Sequence, residues 1–324
     1  MNGHAKQAGL RGWQGPMRVA PAMSALTRLT RWVLVLALGS GLVSGLSGCA
    51  WLDVKQRGWI YRPTPGQWSD WQAITPHDEP VWLTRAPERA ADPAQRLRAV
   101  WVPGPTPAAP SVLYLHGTFR NLFQNRSKIA AIHAAGFSVL AVDYRGWGES
   151  TAALPSEASI VEDAELAYAE WQRRVPNPAA RILFGHSMGS GVAVELALRH
   201  RAPAGYAALV LESAMTSMPD IARDQGVLGS IAAWLTTQQF ASINKIDKIS
   251  APKWFLSGTA DDTVPSRQTE RLYRAAHDPR QLVLFDGGSH SGLADEFEDR
   301  YRAVWLDVAA VLQGRPPAPT QALR

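Results

Sequence analysis

The sequence contains a single cysteine among 324 residues, so it can form no internal disulfide. The cysteine and the histidines show no spacing typical of a zinc site, and we predict neither a metal nor a cofactor. No apolar run approaches the roughly 20 residues that a transmembrane helix needs. A hydrophobic fraction of 46% and a charged fraction of 19% exclude a disordered or collagen-like chain. The composition indicates a globular protein of one large domain or two small ones.

Acidic residues are also missing from the first 48 positions. The first carboxylate of the sequence is Asp53. The whole chain holds 33 Lys and Arg against 28 Asp and Glu, a formal net charge of +5. The entire excess lies in that segment, in Lys6, Arg11, Arg18, Arg28 and Arg31. The remaining chain is therefore neutral, and nucleic acid is not expected as a partner.

The same segment has the pattern of a secretion signal. Arg28 and Arg31 precede a short apolar stretch at 32–43, which is followed by Leu-Ser-Gly-Cys at 46–49. These four residues resemble the lipobox of bacterial lipoproteins, which implies removal of residues 1–48, lipidation of Cys49 and a lipid-anchored place in the cell envelope. Ala50, where inner-membrane lipoproteins carry Asp, implies the outer membrane in a Gram-negative organism. The alternative is an uncleaved anchor helix with a buried cysteine, and Met17 and Met23 are alternative starts.

The rest of the chain divides by composition into three parts. Residues 49–110 are rich in Trp and Pro and are predicted to form a tether followed by antiparallel strands. Residues 111–312 alternate short apolar runs with amphipathic stretches such as Ser159–Arg174, which predicts a mostly parallel α/β sheet with helices on both faces. Residues 313–324 are predicted to be a flexible tail. The apolar runs are Val112–Leu115, Phe137–Val142, Arg181–Phe184, Ala208–Leu211, Trp254–Leu256 and Gln281–Phe285.

Gly185–Gly189 reads G-x-S-x-G between a strand-like run and a helix-like stretch. A serine on such a tight turn can act as a nucleophile if a base removes its proton and an acid orients that base. Asp261 and His290 each follow a later apolar run, so the carboxyl ends of parallel strands would bring them to Ser187. We therefore predict a triad of Ser187, Asp261 and His290. Glu212 and Asp262 are the other candidates for the acid.

The tetrahedral intermediate of such a reaction needs hydrogen-bond donors for its negative oxygen. The backbone N–H of Met188, at the start of the predicted helix, is one candidate. The second donor is expected in the loop after the first core strand, at Thr118, with Phe119 as the runner-up.

At these residues the sequence resembles the α/β-hydrolase serine hydrolases. The matching segments are 115–118, 143–150, 185–189, 258–265 and 288–290. The resemblance implies an α/β-hydrolase fold with about eight strands and a minimal cap, with Ser187 as nucleophile, Asp261 as orienting acid and His290 as base. It also implies structural rather than catalytic roles for the loop at 143–150 and for His116. The sequence departs from the common pattern at Thr118, where relatives carry Asn.

The resulting hypothesis is a membrane-tethered serine hydrolase that cleaves carboxylic esters or thioesters of small or acyl-carrying substrates through an acyl-serine. Two alternatives stay open, a serine peptidase on the same fold and a non-catalytic envelope lipoprotein that uses the fold for binding. The apolar stretch Val227–Leu235 could form a short helix over the pocket, or it could belong to the core.

Overall fold

The computed structural model describes residues 50–85 and 94–315. The predicted signal peptide at 1–48, Cys49 and most of the predicted tail lie outside the described residues. The chain divides into two compact units, Met1–Trp51 and Leu52–Arg324. Apart from Ala50 and Trp51, at the start of the first helix, the described residues belong to the second unit.

Eight strands form one sheet in the order β1-β2-β4-β3-β5-β6-β7-β8. β1 and β2 are antiparallel to each other, and β2 is antiparallel to β4, whereas all the other neighbours are parallel. The strands are β1 Glu79–Arg85, β2 Gln95–Val102, β3 Ser111–Leu115, β4 Ser138–Val142, β5 Arg181–His186, β6 Ala208–Glu212, β7 Lys253–Gly258 and β8 Arg280–Phe285.

The central strands are short apolar runs because both faces of the sheet are covered. Every residue of β3 to β7 is buried. Among the described residues, the helices are α1 at 50–61, α2 Arg126–Ala134, α3 Glu157–Arg174, α4 Met188–His200, α5 Met218–Asp224, α6 Val227–Leu235, α7 Ser266–Ala275, α8 Leu293–Glu296 and α9 Glu298–Leu312.

Two buried apolar clusters lie on opposite faces of the sheet. One contains the inner faces of α3, α4 and α7, and the other contains those of α2, α8 and α9. Helix α3 begins after Ser156, whose side chain accepts a hydrogen bond from the Ser159 backbone N–H at 3.1 Å. The prediction of a mostly parallel sheet of about eight strands with helices on both faces is therefore confirmed.

The cap is small, as the resemblance implied. It consists of α5 and α6, which connect β6 to β7. The stretch predicted as a lid helix, Val227–Leu235, is helical over that range, and among its residues only Ala233 is buried. The alternative that it belongs to the core is wrong. Within residues 50–85 and 94–315, no helix has both the length and the apolarity needed to cross a membrane.

Candidate active site

Three polar side chains meet at the carboxyl edge of the parallel sheet. Ser187 directly follows β5, Asp261 lies in the loop after β7, and His290 lies in the loop after β8. Parallel strands end at the same edge, so these loops are neighbours although the residues are far apart in sequence.

Ser187 lies on a strained turn between β5 and α4. Its φ of 55° and ψ of −123° fall in a region of backbone conformation that residues other than glycine rarely adopt. The turn is tight because the flanking glycines have no side chains. A Cβ atom on Gly185 would overlap the Gly189 carbonyl, and one on Gly189 would overlap the Leu115 carbonyl. The turn directs the Ser187 hydroxyl towards His290.

The imidazole of His290 bridges the other two side chains. Its Nε2 lies 3.1 Å from Ser187 Oγ, and its Nδ1 lies 2.8 Å from Asp261 Oδ2. A carboxylate only accepts, so Nδ1 carries the proton and Nε2 is free to accept the proton of the serine hydroxyl. The structure thus brings all three predicted residues together in the geometry of a nucleophile, a base and an orienting acid.

Asp261 is fixed by its own loop. Its Oδ1 accepts hydrogen bonds from the backbone N–H groups of Thr263, at 3.0 Å, and Val264, at 2.7 Å. Its neighbour Asp262 is exposed and bonds the Thr263 hydroxyl instead. The two adjacent carboxylates therefore differ in environment, and only Asp261 contacts the imidazole of His290.

Glu212, the other candidate acid, is engaged elsewhere. Its carboxylate is fully buried, pairs with the ammonium of Lys128 and accepts a hydrogen bond from Tyr301 Oη at 2.8 Å. Only the backbone of Glu212 contacts Ser187. Its carbonyl oxygen accepts a hydrogen bond from the Ser187 N–H at 2.9 Å.

Two residues hold the backbone of His290. His186 Nε2 lies 3.0 Å from the His290 carbonyl oxygen, and Ser213 Oγ lies 3.1 Å from the same oxygen. The sequence patterns did not predict that His186 or Ser213 would hold the backbone of His290. Ser213 immediately follows β6 at the carboxyl edge of the sheet. That position is the feature of the sequence from which its place near the site could have been predicted.

A cavity of about 510 Å³ opens beside Ser187. Thr118, Phe119 and Met188 are all on its wall, next to the serine. The start of α4 at Met188 directs the positive end of the helix dipole towards this space, which favours a developing negative oxygen. The choice of Thr118 over Phe119 as second donor stays a prediction.

Much of the cavity wall is apolar. It includes Ile60 of α1, Met215 of the loop between β6 and α5, and Met218 and Ile221 of α5. Methionine side chains adapt to ligands of variable shape, which suits a flexible aliphatic group. Asp262 is the one acidic residue among the described residues that line the cavity.

The loop at 143–150 packs against His116, which directly follows β3. Asp143 is fully buried, and its Oδ1 accepts from the Leu122 N–H at 2.9 Å and lies 3.4 Å from His116 Nε2. Burial lowers the pKa of His116 to about 4, so its imidazole is uncharged near neutral pH. His116 packs against Tyr144 and Trp147, as expected of a structural residue.

Among the described residues, no group of three or more His, Cys, Asp or Glu side chains could hold a metal ion. The features that remain, a strained serine after β5 and a histidine and a carboxylate after later strands of a mostly parallel sheet, define an α/β hydrolase.

Comparison with known proteins identifies the family. The family described as serine aminopeptidase, S33, matches residues 106–243. An uncharacterized protein of Mycobacterium tuberculosis is 32% identical over 267 residues, which cover 79% of this chain and 87% of that protein. The chain belongs to the α/β-hydrolase superfamily and is a hydrolase.

Two further similarities come from a named lipase and a solved esterase. Lysophosphatidylserine lipase ABHD12 of Danio rerio is 31% identical over 191 residues, which cover 53% of this chain and 49% of the lipase. The Pyrococcus furiosus esterase Pf2001 superposes with a TM-score of 0.61 at 15% identity, covering 79% of this chain and 98% of the esterase. At this identity, the second similarity shows the fold alone.

Proposed function

We propose that this hydrolase cleaves carboxylic esters or thioesters through an acyl-serine formed on Ser187. The observation that carries the proposal is the continuous line of contacts from Ser187 Oγ through the His290 imidazole to Asp261 Oδ2, at 3.1 and 2.8 Å. The apolar cavity beside the serine supports an acyl group as the part of the substrate that binds there.

In the first half of the reaction, His290 Nε2 takes the hydroxyl proton while Ser187 Oγ attacks the carbonyl carbon. The carbonyl electrons move to the oxygen, which accepts hydrogen bonds from the N–H groups of Met188 and Thr118. The intermediate then collapses, and the leaving alcohol or thiol departs with the proton held on Nε2. Asp261 stabilises the imidazolium through both steps.

In the second half, a water molecule replaces the leaving group. It gives a proton to His290 Nε2 as its oxygen attacks the acyl carbon, and collapse of the second intermediate breaks the bond to Ser187 Oγ. The serine recovers its proton from Nε2, and the free acid leaves the cavity. No group is consumed, so the site is ready for another substrate.

The test is the replacement of the nucleophile. Ser187→Ala should lower the hydrolysis of p-nitrophenyl butyrate by about 10⁴-fold or more and abolish covalent labelling by a fluorophosphonate. Ser230→Ala, which removes an exposed hydroxyl on α6, is the matched control. Labelling that persists in the Ser187 variant would overturn the assignment. A wild-type protein inert towards every activated ester and the label would favour a non-catalytic binding module.

A serine peptidase is the second candidate, because the matching family is described as serine aminopeptidase. A free amino terminus needs an anionic partner, and Asp262 lies on the cavity wall. Aminoacyl p-nitroanilides and p-nitrophenyl esters should be compared on wild type and Asp262→Asn. Amide cleavage that is lost in Asp262→Asn would favour the peptidase. A preference for esters that is unchanged in Asp262→Asn would support the esterase.

The membrane tether is part of the same proposal and rests on the sequence pattern around Cys49. Cys49→Ala should abolish incorporation of a labelled fatty acid and change the electrophoretic mobility by preventing signal removal. Unchanged labelling and mobility would contradict lipidation. The membrane fraction that contains the wild-type chain, inner or outer, tests the envelope location.

A further inference from the structure

Helix α6 exposes its large apolar side chains and buries only the small residue Ala233, the reverse of an ordinary surface helix. Leu228 is 82% exposed and Trp234 is 84% exposed, and Val227, Ile231 and Leu235 on the same face are also exposed. These positions follow helical spacing, so they form one continuous stripe. We call this stripe, with the exposed Trp59 of α1, the apolar rim.

The opposite face of α6 explains why the stripe cannot turn inward. Gly229 packs so closely on α5 that a Cβ atom there would overlap the Ala222 carbonyl, and Ala233 is the buried residue of the helix. Only small residues fit between the two cap helices. The outward direction of the large side chains is therefore set by the packing of the cap.

The apolar rim lies next to the cavity beside Ser187. Trp59 of the rim and Ala232 of α6 both line that cavity. The two helices meet at the end of α6, where Gln56 Nε2 donates to the Leu235 carbonyl oxygen at 3.2 Å. Whatever covers the rim therefore lies beside the cavity that holds Ser187.

The chemistry of the rim fits a lipid bilayer. No charged residue occurs from Gln225 to Asn244, and the two exposed indoles are the side chains best suited to the boundary between acyl chains and headgroups. Beside them, the exposed guanidinium of Arg62 lies 5.2 Å from the Phe119 ring on the cavity wall, where it could meet lipid phosphates.

The position of the proposed anchor favours the same partner. Cys49 directly precedes α1, and nine residues lie between it and Trp59, so even a fully extended chain would keep the acyl anchor within about 35 Å of the rim. A bilayer beside the cavity would supply an apolar substrate to it, whereas a second copy of the chain on the rim would not.

We propose that the apolar rim docks onto a lipid bilayer, and that the substrate is an ester resident in that bilayer whose acyl chain passes from the membrane into the cavity. The proposal rests on the proposed esterase function for its substrate, whereas docking itself does not require the reaction. The two parts can therefore be tested separately.

The experiment introduces charge into the rim away from the cavity wall. The rim variant combines Leu228→Glu and Trp234→Glu. The control is Leu306→Glu, which places one such charge at an apolar side chain of α9 that is 50% exposed. All chains are full length and carry Cys49→Ala, so the N-terminal segment contributes equally. One substrate is 4-methylumbelliferyl butyrate in solution, and the other is 4-methylumbelliferyl oleate in vesicles of phosphatidylcholine and phosphatidylglycerol.

We expect the rim variant to lose about tenfold or more of its activity on the vesicle substrate, because each carboxylate replaces a large apolar group that would leave water. Activity on the soluble ester should stay within about twofold of wild type, as is usual for surface substitutions. Leu306→Glu should change neither activity. Equal losses on both substrates, or no loss on vesicles, would overturn the proposal.

Vesicle flotation of the Ser187→Ala chain, with and without the rim substitutions, measures docking without hydrolysis. Retention of that chain at the vesicle layer, lost in the rim variant, supports docking even if the esterase proposal fails. Light scattering measures the oligomeric state and so tests the alternative that a second copy of the chain covers the rim. A wild-type dimer that the rim variant converts to a monomer would show that a second copy covers the rim, and would overturn docking to a bilayer.

Discussion

His186 donates a hydrogen bond to the backbone carbonyl of His290, with Nε2 3.0 Å from the oxygen. A carbonyl oxygen can only accept, so the proton of the His186 ring is on Nε2. Burial, reinforced by the charge of Lys128 and the proximity of His290, lowers the pKa of His186 well below its ordinary value. His186, the residue before Ser187, therefore acts as a neutral donor that holds the loop of His290.

His186→Phe tests this arrangement because it keeps a ring next to His290 and removes the donor. We expect kcat for ester hydrolysis to fall about tenfold with KM unchanged, since a small displacement of the base is costly in the transition state. Ser213→Ala, which leaves the His186 bond in place, should have a smaller effect. A fall in thermal stability with an unchanged kcat would show that His186 serves packing alone.

Asp261→Asn should lower kcat by about 10³- to 10⁴-fold, because an amide that donates to Nδ1 would favour the tautomer with its proton on the wrong nitrogen. The comparison is Asp286→Asn, which removes a carboxylate that follows β8 and bonds Thr259 Oγ1 at 3.1 Å. Circular dichroism and stopped-flow hydrolysis distinguish chemistry from folding. Full activity in the Asp261 variant would return Glu212 to consideration as the acid.

Gly189→Ala should destabilise the fold by about 1 to 3 kcal/mol and remove activity, because the added methyl group would overlap the backbone carbonyls of Leu115 and His116. Leu115 ends the central strand β3 and His116 directly follows it, so these carbonyls cannot move aside without disturbing the sheet. Gly58→Ala is the contrasting substitution, since nothing lies within 4 Å of a Cβ atom at that helical position. It should raise the free energy of unfolding by about 0.5 to 1 kcal/mol in urea titrations. Equal behaviour of the two variants would contradict the steric account.

Lys128→Met should cost about 3 to 5 kcal/mol of unfolding free energy, because it leaves the fully buried carboxylate of Glu212 without its cation. The double variant with Glu212→Gln should recover much of the loss, since the amide can still accept from Tyr301. Denaturant unfolding of the two single variants and the double variant measures the coupling. Additive losses would mean that the ammonium and the carboxylate do not interact.

The stability of the protein should fall as the pH is lowered from about 6.5 to 4, in part because of His116. Burial lowers its pKa to about 4 in the folded chain, so the unfolded chain binds more protons across that range. Asp163 acts in the opposite sense, since burial raises its pKa to about 6. The comparison is therefore between wild type and His116→Gln, whose stability should depend less on pH. An identical pH slope in the two proteins would contradict the assignment.

The elements and the order of the candidate triad could be predicted from the sequence because both depend on local patterns. The runs that became β3 to β8 are short and apolar, and the glycines around Ser187 mark the strained turn by themselves. The stretch at 227–235 could be predicted as a helix, but its exposure to solvent could not. An apolar sequence alone does not show whether a helix packs in the core or lies on the surface.

The sequence by itself determined the α/β alternation, the turn at Ser187 and the separation of charge before residue 49, since each depends on neighbouring residues. Only the tertiary structure decided that Asp261 rather than Glu212 contacts His290, that His186 and Ser213 hold the backbone of His290, and that Leu228 and Trp234 point into solvent. These relationships join residues tens of positions apart. They are set by the packing of β6, β7 and the cap, which no local pattern encodes.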